Sequence, residues 1–127
     1  MNKTILITGA IAALLAVLFG AFGAHGLEKL VEKTSIDSFQ TGVRYQMYHA
    51  IVCIILGNMT IIEDVVKKRI FYFFLGGMTL FSGSIYLLVI DEVLGISLSS
   101  FGFVTPLGGF MLILGWIFFV ISLVKIK

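Results

Sequence analysis

Charge is scarce in this sequence. Only 13% of its 127 residues are Asp, Glu, Lys or Arg, while 59% are hydrophobic. A soluble domain carries about a quarter charged residues, so this chain has too little charge to cover a folded surface in water. A soluble enzyme, a nucleic-acid-binding domain and a disordered chain are excluded on that ground. Cysteine is nearly missing too. The single Cys53 sits in an apolar run and cannot form an intramolecular disulfide. The net charge of +2 is too small to imply a polyanionic partner. What remains is an integral membrane protein of one domain, and the mean hydropathy of +1.10 agrees.

Long apolar runs are what the chain does have. A helix crossing the hydrocarbon core needs about 20 apolar residues. Four runs predict such spans, over about 4–24, 45–62, 70–90 and 103–124. The runs are continuous and do not alternate with period two, which selects helices over barrel strands. Ser99, Ser100 and Gly102 break the last run, and Pro106 suits a first helical turn, where a missing N–H breaks no bond. The expected fold is therefore all-α, a four-helix membrane bundle forming a single domain over 1–127. Between spans one and two, Leu27, Leu30 and Val31 have helical spacing among charged residues. They predict a short amphipathic helix in the headgroup layer. Asp37 with Gln40 forms an acceptable capping pair, so helix two is expected to begin before the membrane.

Basic residues set the orientation. Lys3, Lys67, Lys68, Arg69, Lys125 and Lys127 make six on one side; Lys29, Lys33 and Arg44 make three on the other. Both termini are thus expected in the cytoplasm, with the protein in the cell membrane. Lys3 and the Ala21-Phe22-Gly23 stretch loosely fit a cleaved signal peptide. The apolar run between them is longer than a signal peptide's core, so a retained span is expected.

Lipid tails are as apolar as leucine, so helices associate in a bilayer through close approach at small residues. Gly9, Ala16 and Gly23 recur every seven residues in span one, with Ile11, Leu14, Leu15 and Leu18 opposite them. Gly76 and Gly83 repeat this spacing in span three, and Gly108 and Gly115 in span four. These stripes predict packing faces of left-handed type.

Polar groups in apolar runs are the best functional pointers. They gather near the start of span two. Thr41, Arg44, Tyr45 and Tyr48 form one helical stripe; Gln46, His49, Cys53 and Gly57 form the next. His25 ends span one on the same membrane side. The candidate polar cluster is accordingly His25, Arg44, Tyr45, Gln46, Tyr48 and His49. His49 is able to titrate, to bind metal or to bond between helices, and ordinary interhelical bonding is favoured. Arg44 is expected to snorkel toward phosphate headgroups. Trp116 falls mid-span, which points to packing. With no HExxH, no paired CxxC and no serine beside a His and an acid, no catalytic, metal or cofactor site is assigned.

These segments together resemble a known family. Gly20-Ala21-Phe22-Gly23-Ala24-His25, then Gln40-Thr41-Gly42 with Tyr45-Gln46 and His49, are two of its motifs. Phe81-Ser82-Gly83-Ser84 with Tyr86, then Phe103-Val104-Thr105-Pro106 with Gly108-Gly109 and Gly115-Trp116, are the others. The chain is similar to the small membrane proteins catalogued as domain of unknown function 423 and to eukaryotic transmembrane protein 256. The resemblance implies a polytopic helical membrane protein and does not imply any catalytic mechanism. It carries over His25, Gln46 and His49 as motif positions, but not Arg44. The expected role is non-enzymatic: membrane organisation or stability, or support of a partner membrane protein. The alternative is a small oligomeric transporter or channel. Expected partners are membrane lipids and either further copies of the chain or another membrane protein.

Overall fold

A computed structural model describes residues 1–126. Lys127, counted above among the basic residues of one side, lies outside them. Four long helices account for most of the chain: α1 (Lys3–His25), α2 (Lys33–Asn58), α3 (Asp64–Leu94) and α4 (Val104–Val124). No strand occurs among the described residues. Three of the helices, α1, α3 and α4, are long and apolar enough to cross a membrane. α2 has the length but carries a polar first half, from Lys33 to Arg44.

The boundaries differ from the expected spans for local reasons. The second run was expected to continue to Ile62, yet α2 stops at Asn58. The Met59 N–H bonds to the carbonyls of Ile55 and Leu56, tightening the last turn, and Lys67 Nζ donates to the Met59 carbonyl at 3.0 Å. This bond holds the aliphatic Lys67 stem inside, where the residue is only 3% exposed. α3 runs 31 residues, roughly 46 Å at 1.5 Å per residue. It is therefore longer than a hydrocarbon core of about 30 Å, which puts its charged ends in the headgroup layers. It ends at Gly95, whose φ of 65° is left-handed and strains any residue with a Cβ.

The expected amphipathic helix is not there. A single 3₁₀ turn (Leu27–Lys29) takes its place, and Leu27 inserts into a core with Ala16, Phe39, Val43 and Val89 rather than facing lipid headgroups. Leu30 is exposed. α2 starts at Lys33, so Asp37 and Gln40 lie inside the helix and do not cap it.

The helices pack in chain order, each antiparallel to the next: α1 on α2, α2 on α3, α3 on α4. Among the described residues no other pair of helices shares a face of comparable extent. The burial pattern matches. The end helices bury narrow stripes, Ile5, Gly9, Ala16 and Gly23 on α1 and Gly108, Leu112, Gly115 and Phe119 on α4. α2 and α3 bury broader surfaces because each meets two neighbours.

Small residues set these approaches. A Cβ on Gly9 would sit 2.9 Å from the Ala50 carbonyl oxygen, and one on Gly23 2.8 Å from Phe39. On Gly108 it would collide with the backbone of Leu80 and Phe81, and on Gly115 it would lie 2.8 Å from Phe74. Gly76 meets only the flexible tip of Met111. The close approach in α3 belongs to Gly77, against Leu112. Gly83, placed on a packing face by its spacing, meets nothing within 4 Å. It borders a groove between α1 and α3 instead.

A polar staple closes the end where the chain begins. The Asn2 N–H donates to the Gly57 carbonyl at 2.8 Å, and its side-chain oxygen accepts from Ile5 N–H at 3.1 Å. Its side-chain amide donates to Asp64 Oδ1 at 2.7 Å, and Asp64 pairs with Lys68 at 2.9 Å. Asn2 thus caps α1 and ties it to the end of α2 and the start of α3.

Candidate functional site: two buried polar junctions

A polar side chain buried between helices must find its partner there, because hydrocarbon offers none. Helical spacing puts Gln46 and His49 on the inward side of α2, 8% and 4% exposed. Each makes one junction. Gln46 Nε2 donates to the Ala12 carbonyl of α1 at 2.9 Å, and Gln46 Oε1 accepts from Tyr86 OH of α3 at 2.7 Å. One side chain thereby links three helices. Ser82 Oγ donates to the Gly42 carbonyl at 2.6 Å and reinforces the α2–α3 seam. Gly42 has no side chain to block that approach; a Cβ there would reach Tyr86 at 3.0 Å.

His49 forms the second junction. Trp116 Nε1, which can only donate, lies 3.1 Å from His49 Nε2. Nε2 is therefore the acceptor, and Nδ1 carries the proton, which it donates to the Tyr45 carbonyl at 2.6 Å. This is the neutral imidazole with both nitrogens in use. Phe74 and the Trp116 ring pack around it, with centroids 5.4 and 6.1 Å away. The bond spans α2 to α4, two helices that share no broad packing face.

The remaining members of the expected cluster lie elsewhere. His25 is exposed at the end of α1. Gly9 is level with Ala50, and His25 is sixteen residues further along, roughly 24 Å from the height of His49. The two histidines and Cys53 do not converge, and among the described residues no three potential metal ligands do. Arg44 is exposed on the outer side of α2 and donates from Nη2 to Thr41 Oγ1 at 3.1 Å. Tyr45 and Tyr48 are also largely exposed. The ring of Tyr45 lies against Phe81, at 4.9 Å between centroids.

Trp116 and Tyr86 are the partners that reasoning from the sequence did not assign. A signal existed for Trp116: an indole N–H in mid-span needs an acceptor, and His49 offers an imidazole nitrogen within the apolar part of α2. No buried side-chain nitrogen or oxygen lacks a partner among the described residues. Each of these buried groups makes at least one bond within the protein. The chemistry of the site is the joining of helices.

Helices of this length and apolarity, joined by internal polar bonds and presenting aliphatic residues outward, define a polytopic helical membrane protein. The sequence profile described as "Protein of unknown function (DUF423)" matches residues 19–109, and the chain belongs to that family. It is 41% identical over 127 residues to the UPF0382 membrane protein YwdK of Bacillus subtilis, covering 97% of this chain and 98% of that one. It is 33% identical over 123 residues to the UPF0382 membrane protein SAB0533 of Staphylococcus aureus, covering 97% of each. To the UPF0382 inner membrane protein YgdD of Escherichia coli K12 it is 32% identical over 129 residues, with 99% and 93% covered. No solved structure matches the chain.

Proposed function

We propose that this chain is a non-enzymatic protein of the cell membrane that organises or stabilises the bilayer, or a partner membrane protein within it. One observation carries the reading. The buried polar side chains of α2 and α3 are engaged in joining helices, while every helix turns aliphatic or aromatic residues outward, such as Leu14, Ile55, Tyr72 and Phe110. A catalytic or transport site would keep polar groups free for its substrate; here they are committed to the fold. The test is deletion, followed by measurement of membrane fluidity, permeability and tolerance of envelope stress. A change in at least one is expected, and wild-type values in all three overturn the proposal. Flux through purified protein in liposomes, altered by His49→Ala, would instead favour a small oligomeric transporter.

All four helices cross the bilayer in this reading, with α2 held between α1 and α3, and both termini face the cytoplasm. The basic residues at the ends of α1, α3 and α4 supply the orientation. In a Cys53→Ser background, cysteines at Lys3 and Lys125 should resist an impermeant thiol reagent in intact cells, and one at Ser97 should react. The reverse pattern inverts the topology.

A further inference from the structure

We infer that the groove between the start of α3 and the end of α4 is a binding site for one anionic phospholipid. The inference deepens the bilayer role proposed above by naming a lipid class, and rests on it. The cavity measures about 660 Å³, inside the range of about 300–1,000 Å³ that ligand sites occupy. Its apolar wall is formed by Ile62, Ile70, Phe118 and Ile121, and its rim carries Arg69, Lys125 and Glu63.

The charges on this face are not equivalent. Lys67 and Lys68 both lie against Asp64, at 3.9 and 2.9 Å. Arg69 and Lys125 are exposed and have no carboxylate within 4.0 Å among the described residues, Glu63 included. Among the described residues, two cations outside any ion pair against one carboxylate leave a positive rim over an apolar wall. Basic pockets between membrane helices match a phosphate headgroup in this way. Ile117, Val120 and Val124 are exposed along α4 beside the groove, so an acyl chain has an apolar path to follow. A water-soluble anion would leave that wall wet, and a zwitterionic headgroup would leave the rim uncompensated. A second copy of this chain would bring its own Arg69 and Lys125 against these.

The test uses the full chain in neutral detergent, titrated with phosphatidylglycerol or phosphatidylcholine, with retained lipids counted by native mass spectrometry. Each cation near an anionic headgroup contributes about fivefold, so the pair gives a preference of about twenty-five-fold for phosphatidylglycerol. The double variant Arg69→Gln/Lys125→Gln should lose this preference. Lys29→Gln/Lys33→Gln, an equal change of charge at the other end, should keep it. Excess inorganic phosphate should not displace the lipid. Should the first variant fail to fold by circular dichroism, Ile121→Trp keeps both cations, fills the wall and should lower retention. Equal retention of the two lipids overturns the inference. So do equal losses in both double variants, displacement by phosphate, or a dimer that retains no lipid. Any of these leaves the deletion phenotype untouched, and a silent deletion leaves the retention result standing.

Discussion

The indole N–H of Trp116 points at Nε2 of His49 across 3.1 Å, and this bond joins α2 to α4. It also selects the neutral imidazole, because a protonated Nε2 could not accept. Trp116→Phe keeps an aromatic ring and removes the donor. A bond between membrane helices is worth about 1 kcal/mol, and a stranded buried acceptor adds to the loss. Thermal unfolding in detergent should show destabilisation of about 1 to 2 kcal/mol. A double-mutant cycle with His49→Phe should be non-additive by about 1 kcal/mol. Additivity would mean that the two side chains stabilise the fold independently.

Gln46 grips two helices and Tyr86 only one of its ends. Gln46→Leu should therefore destabilise by about 1 to 2 kcal/mol, and Tyr86→Phe by about half as much. The same unfolding assay ranks them. A larger effect of Tyr86→Phe would relocate the junction away from Gln46.

Glycine positions separate by what their missing side chain would meet. Gly108→Ala drives a methyl into the backbone of Leu80 and Phe81, and overpacking of this kind costs about 1 to 3 kcal/mol. Gly83→Ala meets open space and should be neutral, or stabilising by up to about 1 kcal/mol because alanine favours helix. Equal effects would refute the α3–α4 packing.

Asn2→Ala removes the cap on α1 and the link to Asp64. Losing an N-cap costs about 1 kcal/mol. The expected readout is local: faster amide exchange through the first turns of α1 and at the start of α3, with the centre of α3 unchanged. Uniform acceleration along the chain would make this staple part of the global core.

Much of the architecture could be read from the residues because a bilayer leaves few options. Continuous apolar runs gave helices, and seven-residue spacing picked out Gly9, Ala16 and Gly23, all buried on α1. Periodicity failed where a tertiary neighbour decides. Gly83 has the spacing of a packing residue but faces a groove, while Gly77, one residue after Gly76, makes the close approach. The segment around Leu27 looked amphipathic, yet the core draws Leu27 inward and only one turn forms. The candidate cluster was legible in part. Gln46 and His49 are inward, but His25 shares only their side of the sequence pattern and not their depth. Their partners Tyr86 and Trp116 are 40 and 67 residues away, a separation that no local rule spans.

Serial packing has a mechanical result. A ring of helices hides its axis from the surrounding fluid, whereas a file of four has no axis to hide. Aliphatic and aromatic residues are exposed on all four helices, so no seam lies far from the outer surface of the molecule. The bonds of Gln46, Ser82 and His49 cross these seams, so sliding one helix past another would have to break them.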